Sequence, residues 1–202
     1  PRRFIFFVDD NLLSDHVAAK RFLKELIPLR IRWVSQGSLD MTNDPELMQL
    51  VADSGCLGNV IGFESLDPRS LQRMKKGPNF LRTGIRKAGR HGWDQYERPI
   101  QILRDHHLQT WAAFTLGHDD DTLVSIRETS DFAIRNKFCF AAYNILMPYP
   151  GTPFYRRLRA EGRLLYDGRW WLHPEYRFNH AAFIPRHMSP EELTAACWEC
   201  RR

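Results

Sequence analysis

No stretch of this 202-residue chain is both long enough and apolar enough to cross a bilayer. The longest run without a formal charge, Phe138 to Tyr155, holds three prolines, a glycine and an asparagine, and its backbone would go unsatisfied in lipid. Cysteine is scarce. Cys56, Cys139, Cys197 and Cys200 are too few and too scattered to staple a chain of this length, so a reducing cytoplasm is the expected compartment. An initiator Met and a signal-peptide pattern are both lacking at Pro1-Arg2-Arg3-Phe4, and we expect a piece of a longer protein. No Gly-x-Ser-x-Gly elbow, P-loop or Rossmann glycine fingerprint occurs, which removes three common kinds of enzyme site. Internal repeats and low-complexity tracts are absent too. Acidic residues are missing between Asp67 and Asp94, where eight Lys and Arg residues crowd together and more than account for the net charge of +5.

What is present is the composition of a folded domain, 43% hydrophobic and 26% charged, in a chain long enough to bury roughly 70% of its unfolded surface. Short β-rich runs alternate with helical patterns, which predicts an α/β fold around a parallel sheet. The expected strands are Phe4 to Val8, Ile31 to Ser35, Asn59 to Phe63, Thr110 to Leu116 and Ala141 to Leu146. Asp44-Pro45, Asp67-Pro68, Thr152-Pro153 and Ser189-Pro190 each pair an N-cap side chain with proline at the first helical position. Ser189 and Glu192 have capping-box spacing. In the first helix Ala19, Phe22, Leu23, Leu26 and Ile27 share a face, and Gly55 and Gly162 are expected C-terminal stops. Residues 76–93 read as a basic, glycine-rich insertion before a helix carrying Tyr96, Ile100 and Leu103. An aromatic extension with Trp170, Trp171, Tyr176 and Phe178 follows the last strand.

Chemistry on parallel sheets sits at the strand carboxyl ends. Here those junctions are polar: Asp9-Asp10-Asn11, Gln36-Gly37-Ser38, Glu64-Ser65, Gly117-His118-Asp119-Asp120-Asp121, and Asn144 through Pro148-Tyr149-Pro150-Gly151. Carboxylates placed directly after buried strands carry a desolvation cost, which favours a ligand-facing role. A plainer reading stands beside each. Asp9 and Asp10 could cap the next helix, and Asp121 is expected to cap the helix containing Ile126 and Ala133. Glu64 resists that explanation, because it lies two residues past Gly62 on the same strand face. The consecutive acids after His118 read as a solvated loop rather than a metal site. Cys197-x-x-Cys200, on one helical face without a second pair, is not a zinc motif. No metal-ligand set is expected.

Taken together the strings Phe7-Val8-Asp9-Asp10-Asn11, Ser54-Gly55-Cys56, Val60-Ile61-Gly62-Phe63-Glu64-Ser65-Leu66, Phe114-Thr115-Leu116-Gly117-His118-Asp119-Asp120-Asp121-Thr122 and Pro148-Tyr149-Pro150-Gly151-Thr152-Pro153 resemble, in this order, the radical S-adenosylmethionine enzymes with a cobalamin-binding domain. Glu161-Gly162-Arg163-Leu164-Leu165 and Met188-Ser189-Pro190-Glu191-Glu192-Leu193 resemble the C-terminal extension of that class. The resemblance implies a partial (β/α)6 TIM-type barrel over residues 1–150, strands two to six of the family's core, followed by an extension over 151–202. The family's Cys-x3-Cys-x2-Cys loop and its cobalamin signature are missing, so a 4Fe–4S cluster and cobalamin would belong to the longer parent. It further implies cleavage of S-adenosylmethionine to a 5′-deoxyadenosyl radical, used for methylation or rearrangement of a small or lipid-like substrate, with a reductant such as flavodoxin or ferredoxin as partner.

By position, the resemblance assigns Asp9 and Asp10 to the methionyl amino group, where a carboxylate makes a charge-assisted hydrogen bond. Gln36, Ser38 and Glu64 would line the same pocket, and Lys75 or Lys76, the latter preferred, would meet the methionyl carboxylate. The backbone of Phe114 to Gly117 would pack against adenine, with Asn144 and Tyr149 on the substrate side. Three other readings stay open. One is a metal-assisted hydrolase or lyase using Asp9, Asp10, Glu64, His118 and Asp119. Another is an RNA binder using the basic window from Arg69 to Arg90, although Phe80 and Trp93 are too few for a stacking platform and nucleic acid is not the expected partner. The last is a scaffold that has lost catalysis.

Overall fold

Five strands run in sequence order across one parallel sheet in the computed structural model, which describes residues 4–74 and 94–202: β1 Phe4–Phe7, β2 Arg32–Gly37, β3 Cys56–Glu64, β4 Gln109–Leu116 and β5 Phe140–Ile145. The helices between them are α1 His16–Leu26, α2 Pro45–Asp53, α3 Pro68–Arg73, α4 Asp94–Asp105 and α5 Leu123–Arg135, followed by α6 Pro153–Ala160 and α7 Pro190–Cys200. The α/β fold expected from the alternating pattern is therefore the observed one. The basic insertion, with Lys76, Phe80 and Trp93, lies outside the described residues.

Two compact units make up the chain, Pro1–Ala113 with Ala133–Ala141, and Phe114–Phe132 with Ala142–Arg202. In the first unit β1, β2 and β3 pair in parallel, with Phe7 opposite Ser35 and Gln36 opposite Val60. Their carboxyl ends therefore share one edge. At the opposite, amino end Trp33, fully buried, anchors the core and donates its indole N–H to Ser54, at 3.1 Å from the hydroxyl. Tyr96, Ile100 and Leu103 of α4 are all buried, as their spacing predicts.

Strand bounds differ from expectation by more than one residue at two places. β2 continues through Gly37 and takes Gln36 into the ladder, and β3 begins at Cys56 rather than Asn59. Gly58 looks like a break in the sequence, yet in the fold it permits close approach, since a Cβ there would lie 2.1 Å from the Gln109 carbonyl oxygen.

Helix starts follow the local chemistry. Asp44 accepts the Leu47 N–H at 3.0 Å, Asp67 that of Arg69 at 2.8 Å, and Thr152 that of Tyr155 at 3.1 Å. Ser189 and Glu192 close the capping box reciprocally at 3.1 and 2.7 Å. At α1 the cap is Asp15, which accepts from Val17 and Ala18, so neither Asp9 nor Asp10 fills that role.

In the second unit Phe114 is buried, stacked on Tyr143 at 5.4 Å and meeting Phe132 edge-on at 6.3 Å. The backbone of β5 is satisfied by a side chain. Buried Asn179 accepts the Ile145 N–H at 2.8 Å and donates to the Tyr143 carbonyl at 3.0 Å and to Cys197 Sγ at 3.3 Å. Its amide so imitates one step of a neighbouring strand.

Candidate functional site

At the strand-tip edge of the first unit stand Asp9 and Asp10 after β1, Gln36 and Ser38 at the end of β2, and Glu64 closing β3. Asp9 and Asp10 are exposed, while Gln36, Ser38 and Glu64 are half-buried. Asn11 donates to the Ser38 hydroxyl at 2.8 Å, and that hydroxyl donates to Asp40. The Asn11 carbonyl oxygen is buried without a partner among the described residues. A polar chain fixed at one end and open at the other is suited to a ligand that brings its own donor.

Glu64 has the least ordinary backbone of the set. Its φ is 66°, in the left-handed region that penalises residues with a Cβ. The Ser65 N–H reaches back to the Phe63 carbonyl at 2.9 Å, so Glu64 is the centre of a γ-turn of the rare, strained hand. The turn is clamped from α4: the Tyr96 hydroxyl donates to the carbonyls on either side of Glu64, Phe63 at 3.2 Å and Ser65 at 3.0 Å. Tyr96 also packs edge-on against Phe63 at 5.1 Å. Helical spacing marks Tyr96 as a core residue and says nothing of its hydroxyl; a buried tyrosine, which must place its O–H somewhere, was the available signal.

The second unit builds its strand tips differently. The Leu146 N–H bonds to the Leu116 carbonyl at 2.8 Å, setting the ends of β4 and β5 side by side. Gly117, at φ 96°, is buried, and a Cβ there would meet Leu193 at 2.8 Å and Phe183 at 3.2 Å. Its bareness thus serves close packing by the C-terminal segment. The N–H groups of Gly117 and His118 both point at one Asp121 oxygen, at 2.8 and 3.0 Å. This corrects the expected role of Asp121. The α5 cap is Thr122, whose hydroxyl accepts the Ser125 N–H at 3.2 Å, while Asp121 turns back to hold the loop after β4.

Asp119 is enclosed by Arg157, Arg163 at 3.1 Å and Arg186 at 3.3 Å, with Glu161 bridging Arg163 at 2.8 Å. Burial alone would raise the Asp119 carboxyl, but hydrogen bonds from Arg157 and Arg163 outweigh it and hold the group below the usual carboxylate range. A carboxylate surrounded by three guanidinium groups is a poor ligand for a catalytic metal cation, which weighs against the hydrolase reading. His118 is buried, and Nε2 lacks a partner among the described residues. Asn144 is exposed on β5, and Tyr149, also exposed, meets Trp170 edge-on at 5.9 Å.

The cysteines do not fit an iron–sulfur cluster. Cys56 and Cys197 are buried at separate places, in β3 and in α7, not gathered in one loop as a cluster requires. Among the described residues no group of three or more His, Cys, Asp or Glu could hold a metal ion. The strand-tip edge of the first unit does fit a molecule with a cationic amine, given its exposed carboxylates, its strained glutamate and its orphaned amide oxygen.

The fold is that of a radical S-adenosylmethionine enzyme core. It matches the methyltransferase TsrM from Kitasatospora setae, solved with cobalamin and a 4Fe–4S cluster, with a TM-score of 0.57 over 78% of this chain and 30% of that one, at 17% identity. In sequence it is 31% identical over 187 residues to bacteriochlorophyllide d C-12(1)-methyltransferase from Chlorobaculum tepidum, covering 93% of this chain and 37% of that protein. It is also 25% identical over 172 residues to hopanoid C-2 methylase from Rhodopseudomonas palustris, covering 82% of this chain and 30% of the relative. No family model matches. The chain is thus similar in sequence to methyltransferases and in fold to a radical S-adenosylmethionine methyltransferase, and it spans about a third of the length of these proteins.

Proposed function

We propose that this chain is the S-adenosylmethionine-binding part of a cobalamin-dependent radical methyltransferase, whose cluster and cobalamin are bound by other segments of the full-length protein. The observation that carries the reading is the clamped γ-turn at Glu64, a strained backbone held at the strand-tip edge that Asp9, Asp10 and Gln36 share. In this reading Asp9 or Asp10 accepts a hydrogen bond from the methionyl ammonium, and Glu64 and Gln36 take further polar groups of the same molecule. Ser38, held by Asn11, orients that wall. Lys76 is assigned to the methionyl carboxylate, the backbone from Phe114 to Gly117 to the adenine, and Asn144 and Tyr149 to the substrate, following the family resemblance. When bound, S-adenosylmethionine supplies the methyl group and the hydrogen-abstracting power; the residues named here bind and orient it.

Two relatives are named for methylating a bacteriochlorophyllide and a hopanoid, which supports methyl transfer to a bulky apolar acceptor. The proposed setting is the reducing cytoplasm, with a flavodoxin- or ferredoxin-like reductant. The test is titration calorimetry of S-adenosylmethionine against the cluster-loaded full-length protein and its Glu64→Gln form. Loss of one charge-assisted hydrogen bond predicts roughly tenfold weaker binding. Unchanged affinity would remove Glu64 from the site.

A further inference from the structure

The C-terminal extension in the second unit carries an aromatic loop that the methyltransferase reading does not use. Trp170 anchors it: the ring contacts Tyr176 at 4.9 Å and Tyr149 at 5.9 Å, and its indole N–H donates to the Pro148 carbonyl at 3.2 Å. The Tyr176 hydroxyl fastens the far side to Met147 Sδ at 3.6 Å. On this fixed base the 3-10 turn Trp170–Leu172 presents its other two side chains outward, Trp171 at 44% exposure and Leu172 at 70%. Phe178, six residues on, is 72% exposed. Large apolar side chains exposed within so short a segment mark an interaction site.

Charge identifies the partner. Between Gly151 and His187 there are seven arginines against three carboxylates, and no lysine. Arg157, Arg163 and Arg186 are occupied by Asp119 and Glu161. Arg156, Arg159, Arg169 and Arg177 are exposed and make no ion pair among the described residues; Arg156 and Arg177 only donate to backbone carbonyls, which leaves their charge intact. Exposed Trp, Leu and Phe among four unpaired arginines that outnumber the two remaining exposed carboxylates, Asp167 and Glu175, match an interface with apolar acyl chains beneath an anionic surface, where indole rings and guanidinium groups both settle.

We propose that this face of the extension docks on anionic lipid bilayers, inserting Trp171 and Leu172 at headgroup depth with the free arginines on the phosphates. The proposal is independent of the S-adenosylmethionine reading and needs no cofactor to test. The 202-residue chain is sedimented with vesicles of mixed phosphatidylcholine and phosphatidylglycerol, and with vesicles of phosphatidylcholine alone. We expect binding to the mixed vesicles, accompanied by a blue shift of tryptophan emission and weakened by added salt. The double variant Trp171→Ser, Leu172→Ser should lower the partition coefficient by roughly tenfold or more, and Arg159→Glu with Arg169→Glu should abolish the preference for anionic lipid. All four side chains are exposed, so circular dichroism should report an intact fold in each variant. The proposal is overturned if the folded chain ignores both vesicle types, binds them equally, or binds as well without Trp171 and Leu172. Binding of RNA in place of vesicles would also overturn it, turning the same arginines to a different polyanion.

Discussion

Replacing Glu64 with glycine and, separately, with alanine separates the strain at the end of β3 from the ligand contact that strain is proposed to serve. Both variants delete the carboxylate and every interaction it makes, so their difference reports the backbone alone. Alanine keeps a Cβ at φ 66° and glycine does not. A left-handed conformation costs an L-residue about 1–2 kcal/mol, and glycine returns about 0.4–1 kcal/mol of that through its freer unfolded chain. The glycine variant should therefore be the more stable by about 1 kcal/mol, which for a chain of this size is a Tm difference of about 2–4 °C. Thermal unfolding followed by circular dichroism reads the difference. Calorimetry on the cluster-loaded full-length protein should find S-adenosylmethionine binding weakened equally in the two. Equal melting temperatures would refute the strained turn. A glycine variant that is more stable yet binds normally would refute its use.

Four further outcomes follow from the same contacts. Tyr96→Phe removes the clamp on that turn from a buried site and should cost about 1–2 kcal/mol in urea titration. At Asn179 the glycine variant should lose about 2–3 kcal/mol, because the buried Ile145 N–H is orphaned, and alanine more, since Asn179 sits at φ 60°. Asp119 is held below its ordinary value of 3.8, so the stability it contributes is fully present above that pH and drains as pH falls below it. An Asp119→Asn variant should show a shallower acid limb in pH-dependent melting. With a thiol reagent under native conditions exposed Cys139 should react first, while Cys56 and Cys197, buried with raised thiols, should wait for unfolding.

Most of what the sequence makes legible has short range. Ser189 and Glu192 are three residues apart, and the capping box they predict is the one that forms. Strand order follows from alternation, since each run is too short and too β-branched or aromatic to be helical. Where two short-range readings compete, the sequence does not choose. Asp121 and Thr122 are both good caps, and only the two N–H groups of the turn at Gly117 draw Asp121 backward. Gly58 carries a glycine's usual mark of interruption, and the backbone of β4 that makes it necessary lies far along the chain.

Most of the site contacts that escaped are of long range. Tyr96 reaches Phe63 and Ser65 across more than thirty residues, Asn179 reaches β5 across a similar span, and the arginines on Asp119 come from α6 and beyond. No local pattern encodes such pairings. Glu64 is the instructive case, because its φ contradicts its own side chain: a chain selected for stability alone would put glycine there. Arg30, His107, Lys137, Tyr166, Asp167 and Asn179 also have positive φ, but Glu64 is the one of these that closes a sheet strand at the strand-tip edge. A violated rule at a strand tip, clamped on both sides by a buried hydroxyl, is the mark of a residue kept for what it binds, and the alanine–glycine pair measures how much stability that position forgoes.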